Sequence, residues 1–230
     1  MKQVTVFLPC REGSERIKHK NIKPFSDVEN GLIYIKLVQL LNVQSVKRII
    51  VSTNDNEVKK VAKYFQNDKI LIDDRPEELA SSDTSTDDLI KYIPSIISSG
   101  TVLWTHVTSP FVDENIYQDA IKRYFSYSNQ YDSLMSVTKI QKFLWNHDGP
   151  INYDKSIEKW PRTQTIEPLY EVNSGIFIAD IEIYKKYSDR IGKSPFLFEI
   201  DEKIAFDIDW KIDFEMAEIL WSKRIKNGKI

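Results

Sequence analysis

Val4-Thr5-Val6-Phe7-Leu8-Pro9-Cys10-Arg11-Glu12-Gly13-Ser14-Glu15-Arg16-Ile17-Lys18-His19-Lys20-Asn21 opens as a short apolar, β-branched run and breaks into a polar, basic loop. The run through Leu8 reads as a buried strand and the loop as the connection to a helix. The same rhythm continues downstream. An apolar-faced helix runs from Tyr34 to Leu41, and Arg48 to Ser52 is a second strand. Asn54 and Asp55 stand where a helix N-cap is wanted, ahead of Val58, Val61, Ala62 and Phe65 at helical spacing. Lys69 to Asp73 is a third strand. Ser85 or Thr86 caps a helix through Leu89, Ile90, Ile93 and Ile97, which Pro94 is expected to kink. Val102 to Trp104 is a fourth strand, Asp113 caps a helix carrying Ile116, Ala120, Ile121 and Tyr124, and Ser133 to Thr138 is a fifth strand. This β-α-β-α order predicts an α/β fold of three layers, a mostly parallel Rossmann-like sheet with helices on both faces.

The rhythm stops between about Lys139 and Tyr170. That stretch holds Phe143, Trp145, Tyr153 and Trp160 without a clean period. A flexible linker would be richer in glycine and serine, so we expect an extended arm that buries its aromatics against a second copy of the chain. Beyond it, Gly175 to Ala179, Phe196 to Phe198 and Ala205 to Asp209 read as strands, and a last helix runs from about Lys211 to Ile225.

The 230 residues carry 32 Lys and Arg against 34 Asp and Glu, a formal charge of −2, and 41% are hydrophobic. That is a globular composition, read here as one domain over residues 1–230 with the arm inserted at about 139–170. Near-neutrality argues against nucleic acid as the main ligand, because phosphate backbones demand clustered excess positive charge. Cys10 is the single cysteine, so neither an intrachain disulfide nor a cysteine zinc cluster can form. No apolar run approaches the ~20 residues of a membrane span, and Val4 to Pro9 is too short for a signal-peptide core. The expectation is a soluble, cytoplasmic protein with no membrane partner.

In an open parallel sheet, ligands bind at the carboxyl ends of the strands. The loop after the first strand carries Arg11, Arg16, Lys18, Lys20 and Lys23, with Gly13-Ser14 where backbone amides could cradle an anion. It is neither a Walker loop nor a dinucleotide fingerprint, and a solvated basic loop would carry the same charges. Near the C-terminus stands Asp207-Ile208-Asp209. On a strand the two carboxylates share a face and repel unless a cation lies between them, as Mg²⁺ would with substrate phosphates. The alternative is that Asp209 merely caps the last helix. Together the two features suggest a nucleoside triphosphate held by cations and Mg²⁺.

The loop from Leu8 to Phe25 resembles the signature loop of the acylneuraminate cytidylyltransferase family, the CMP-sialic acid synthetases and their relatives. Further blocks agree in order: Val51-Ser52-Thr53-Asn54-Asp55, Arg75-Pro76-Glu77-Glu78-Leu79-Ala80 with Asp83-Thr84-Ser85-Thr86, Thr108-Ser109-Pro110, Arg162 and Gln164 ahead of Tyr170 to Gly175, and Phe206 to Asp209 before Asp213-Phe214-Glu215. The resemblance covers nearly the whole chain. It implies a nucleotidyltransferase-like fold and a cytidylyltransferase that moves CMP from CTP to the anomeric hydroxyl of a nonulosonic acid of sialic, legionaminic or pseudaminic type, releasing pyrophosphate. It further implies that Arg11 and Lys20, with Gly13 and Ser14, hold the triphosphate, and that Asn21, Arg75 and Thr86 contact cytosine and ribose. Asp207 and Asp209 become the Mg²⁺ carboxylates, and His106, Thr108, Ser109, Arg162, Gln164 and Asn173 meet the acidic sugar. The related enzymes are homodimers in which such an arm reaches the neighbour.

The chain also departs from the pattern. His106-Val107 replaces Gln-Pro, a glutamine that contacts the sugar in relatives, and Val112 replaces an arginine, which leaves the acceptor open to another keto-sugar acid or a phosphonate. Cys10 stands where alanine is usual and reads as a packing residue. Trp210 replaces a threonine and could wall the site or pack beside the helix start. A nucleotide-binding protein without transferase activity is the reading from a different class.

Overall fold

The computed structural model describes residues 2–226; residue 1 and residues 227–230 of the expected domain lie outside them. The first strand, β1 (Val4–Pro9), sends Val4, Val6 and Leu8 to one face and Phe7 to the other, all buried. The helix α1 (Gly31–Leu41), the strand β2 (Val46–Thr53), the helix α2 (Asn56–Tyr64) and the strand β3 (Ile70–Asp74) follow. The Asp55 carboxylate caps α2 by accepting from the Glu57 and Val58 amides, two of the donors that a helix start leaves without partners. In α3 (Thr86–Ile96) the cap is Ser85, paired with Asp88 in a capping box, so Thr86 is the first helical residue. Pro94 sits in the last turn of that helix.

The chain continues through β4 (Thr101–Trp104), α4 (Glu114–Ser126, capped by Asp113) and β5 (Ser133–Ile140). Within the arm lies a small hairpin, β6 (Trp145–Asn146) and β7 (Gly149–Pro150). Then come β8 (Leu169–Asp180), α5 (Ile181–Tyr187), β9 (Pro195–Glu199) and α6 (Lys211–Lys226). The main sheet has seven strands in the order β3-β2-β1-β4-β8-β5-β9. One core packs α1, α2, α4 and α6 on one face through Leu37, Val58, Tyr117 and Phe214. The other packs α3 and α5 through Ile90, Ile93 and Tyr184. The expected three layers are present.

The expected mostly parallel sheet is present, with β8 running antiparallel to both β4 and β5, and one expected strand needs correction. The arm between β5 and β8 contains no crossover helix, so the chain simply turns back beside β5. Ala205 to Asp209 is not a strand. It leaves the edge strand β9 and crosses the top of the sheet, where the Ile208 amide donates to the Thr108 carbonyl at 2.9 Å, one lateral bond in place of a ladder. Finally, α5 was not anticipated; it is a single short amphipathic stretch capped by Asp180.

The arm aromatics pack on one another. Phe143 lies edge-on to Tyr153 and Trp160, Trp145 stacks on Trp160 at 6.4 Å, and the Trp145 indole N–H donates to the Tyr153 hydroxyl. The cluster still leaves Trp160 67% and Ile157 86% exposed.

Candidate active site

The strand order steps from β2 to β1 to β4, so β1 is flanked by connections that leave in opposite directions, and a crevice opens beyond its carboxyl end. There lies a cleft of about 420 Å³ lined by Arg11, Ser14, Arg16, Lys20, Asn21, Ser82, His106, Thr108 and Asp209 among others. The basic loop, the turn after β4 and the acidic segment before α6 thus meet at one point.

Gly13 adopts φ +79°, a conformation that favours glycine, and its carbonyl accepts from the Arg11 guanidinium at 3.2 Å. The loop is tied back twice more. The Asn21 amide donates to the Arg11 carbonyl at 3.1 Å, and the Glu12 amide donates to Asn54 Oδ1 at 2.8 Å. Lys20, with 13% of its side chain exposed, donates to the Ile208 carbonyl at 2.8 Å and lies 3.9 Å from Asp209. Burial lowers its pKa, an effect that Asp209 and Asp207 oppose.

The two aspartates differ. Asp209 is exposed to the cleft, 3.2 Å from the Arg16 guanidinium, which also covers the Trp210 ring at 4.6 Å. Trp210 thus packs against Arg16 beside the helix start and does not itself line the cleft. Asp207 is half-buried, and burial raises its carboxyl pKa; a hydrogen bond from Thr108 opposes the rise and the charge of Asp209 adds to it. Asp209 is not the helix cap. Asp213 serves α6 instead, accepting from the Asp209 and Trp210 amides at 3.1 and 2.7 Å, which leaves both expected carboxylates free of that duty. Among the described residues no group of three His, Cys, Asp or Glu side chains is arranged to hold a metal alone.

His106 accepts from the Trp104 indole N–H through Nε2 at 2.9 Å. Burial, then the nearby cations beginning with Arg190, push its pKa down to about 3. The ring is therefore neutral, and with Nε2 accepting, the proton resides on Nδ1. His106 offers the cleft an uncharged donor.

Other expected residues stand away from this cleft. Arg75 is buried and donates to the Ser52 hydroxyl and carbonyl at 3.1 and 2.7 Å. Thr86 is exposed at the start of α3. Ser109 is buried, its hydroxyl donating to the His106 carbonyl. Asn173 is occupied in the β5–β8 irregularity, accepting from the Ser136 hydroxyl at 2.6 Å and donating to Thr138 at 3.1 Å. Arg162 and Gln164 are exposed on the arm. Val112 is fully buried, so its departure from the family pattern does not touch the cleft. Cys10 does line the cleft, but it is buried and desolvation pushes its thiol pKa up to about 12, so it stays protonated as a packing residue.

Two contributors escaped the sequence reading. Ser82 reaches the cleft from the loop before α3, and its only signal was its place between two recognised blocks. Lys36 is fully buried, donating to the Ser109 carbonyl at 2.8 Å, the Val112 carbonyl at 3.1 Å and the Tyr117 hydroxyl at 2.8 Å. It fastens the turn that follows His106 from behind. Its signal was a lone charge on the apolar side of α1.

Residues 5–227 match a family model described as Cytidylyltransferase. Over 229 residues the chain is 26% identical to an N-acylneuraminate cytidylyltransferase of Escherichia coli O18:K1:H7, covering 96% of this chain and 53% of that protein. It therefore spans about half the length of that relative. It is 24% identical to the post-translational flagellin modification protein B of Campylobacter coli, covering 100% of this chain and 99% of the relative. It is also 24% identical to a CMP-N,N'-diacetyllegionaminic acid synthase of Campylobacter jejuni, covering 96% of each. Among solved structures, a CMP:2-keto-3-deoxy-manno-octonic acid synthetase complexed with CTP superposes with a TM-score of 0.68 at 16% identity, over 97% of this chain and 100% of that one. A 4-diphosphocytidyl-2C-methyl-D-erythritol synthase from Anaerococcus prevotii gives 0.66 at 13% identity, over 96% of each. At such identities the structural likeness speaks for the fold, a nucleotidyltransferase-like one.

Proposed function

The chain belongs to the cytidylyltransferase family, and on that premise we propose that it transfers CMP from CTP to the anomeric hydroxyl of a nonulosonic acid of sialic, legionaminic or pseudaminic type, releasing pyrophosphate. The observation that carries the reading is the convergence of Arg11, Arg16 and Lys20 with Asp209 on one cleft at the carboxyl end of β1. Names of relatives that act on such acids support the acceptor class.

In the proposed reaction the hydroxyl oxygen of the sugar acid attacks the α-phosphorus of CTP, and the bond from that phosphorus to the bridging oxygen breaks. Arg11 and Lys20 hold the triphosphate, and Lys20 meets the charge that builds on the leaving pyrophosphate. Such transfer depends mainly on positioning and charge neutralisation. Asn21 braces the loop by its bond to the Arg11 carbonyl. One carboxylate of the Asp207 and Asp209 pair helps to take the proton of the attacking hydroxyl. The donor set fits Mg²⁺: two carboxylates, one open to the cleft, leave the remaining positions to phosphate and water, the arrangement this ion favours. Asp207 and Asp209 would hold it, and when bound it would neutralise charge on the phosphates.

Arg75 and Thr86 belong to the proposed cytosine and ribose contacts only if the loops around them move, since neither lines the cleft. Arg162, Gln164 and the exposed face of Trp160 support a homodimer in which the arm completes the partner's sugar site. The neutral donor of His106 favours a second reading of the acceptor, another keto-sugar acid or a phosphonate, because it replaces a side chain that both donates and accepts. A panel of nonulosonic acids, other 2-keto-3-deoxy acids and phosphonates, scored by pyrophosphate release with CTP, separates these readings. Release with a nonulosonic acid alone is the expected outcome; tight CTP binding with no release for any acceptor would leave only a nucleotide-binding protein.

A further inference from the structure

We propose that a second cleft, between α1, the start of α4 and α6, is a small-molecule site for a flat, uncharged ligand that carries one hydrogen-bond donor and one acceptor on an apolar body. The cleft has a volume of about 350 Å³ and is lined by Tyr34, Ile35, Val38, Gln39 and Trp221, with Arg224 at its edge. That volume is at the small end of the range of ligand pockets.

Its polar chemistry is specific. Four buried side-chain atoms lack a hydrogen-bond partner among the described residues, and two of them, Gln39 Oε1 and Trp221 Nε1, belong to residues lining this one cleft. One is an acceptor and the other a donor. Buried polar groups are nearly always satisfied, and leaving one unpaired is costly, so a pair of opposite kind in one apolar cleft is the pattern a ligand would complete. The lining cation Arg224 is already paired with Asp113 at 2.5 Å, and the other charged lining residue is the acidic Glu114, so nothing here calls for an anionic ligand.

The site also touches the machinery of the first cleft from behind. The other end of the Gln39 amide donates to the Pro110 carbonyl at 2.6 Å, and Arg224 donates to the Phe111 carbonyl at 3.1 Å. These carbonyls belong to the turn that Lys36 fastens and that carries Thr108 into the first cleft. A ligand that binds Gln39 thus bears directly on a residue that holds this turn.

The test needs no nucleotide and so stands apart from the proposed activity. Benzamide, which presents a donor and an acceptor on one ring, is titrated into the full chain and followed by ligand-observed NMR, with toluene as the apolar control. Benzamide is expected to bind with a Kd on the order of 1 mM, as its size allows. Trp221→Phe, which keeps the ring and removes the N–H, and Gln39→Met should each weaken it about five- to tenfold, the worth of one hydrogen bond, while toluene binding stays the same. No benzamide binding to the folded wild type, or equal binding to wild type and both variants, would overturn the proposal.

Discussion

Lys36→Met should flatten the pH dependence of stability between pH 7 and 9. The wild-type lysine is fully buried without a carboxylate in contact, and burial pushes its pKa from 10.5 down to about 7. The unfolded chain keeps its proton through this window while the folded chain loses it. The unfolded state therefore binds more protons, and stability rises with pH. For values of about 7 folded and 10.5 unfolded, the gain from pH 7 to pH 9 comes to about 2 kcal/mol. His106, held near 3, has finished titrating below this window, and the Cys10 thiol, pushed up to about 12, lowers stability toward the upper end as the unfolded thiol ionises, alike in both proteins, so it cancels in the comparison. Urea unfolding at both pH values reads the difference directly from the extrapolated free energies. The wild type should gain about 2 kcal/mol more than Lys36→Met over this interval. Because the Ser109 and Val112 carbonyls lose their donor in the variant, its acceptor KM should also rise. Parallel pH profiles for the two proteins would refute the claim that this lysine sits neutralised in the fold.

Asp209→Asn and Asp207→Asn should each lower turnover by about 10²–10³ with melting temperature nearly unchanged, the usual cost of losing one electrostatic group aimed at the reacting phosphates; near-normal rates at saturating Mg²⁺ would remove both from the metal site. Lys20→Ala should reduce turnover with CTP far more than it reduces stability, as comparison of steady-state rates with thermal melts will tell. His106→Ala should destabilise the fold by about 1–3 kcal/mol, since the Trp104 N–H is left buried without an acceptor, and calorimetry of this variant beside His106→Gln, which can restore an acceptor, checks the cause. Removing the arm residues from about 139 to 170 should abolish both dimer and activity, and sedimentation of the intact chain as an active monomer at micromolar concentration would contradict the proposed arm contact.

Much of the architecture was written in local pattern. Apolar runs of strand length, helical spacing, and the caps Asp55, Ser85 and Asp113 are properties of neighbouring residues, and the structure places them as read. The basic loop after the first strand was equally legible, because the carboxyl end of a strand in such a sheet faces the crevice whatever the rest of the chain does. Tertiary structure alone decided that β8 runs antiparallel, since periodicity records which face a residue buries and not which strand lies beside it. It also decided that Arg75 and Asn173 spend their hydrogen bonds on Ser52, Ser136 and Thr138, that Asp213 relieves Asp209 of capping, and that Lys36 is buried under the active-site turn. Each of these rests on a donor meeting an acceptor distant in sequence, or on burial by another element. Such meetings depend on how the layers close over one another, and no local pattern encodes that.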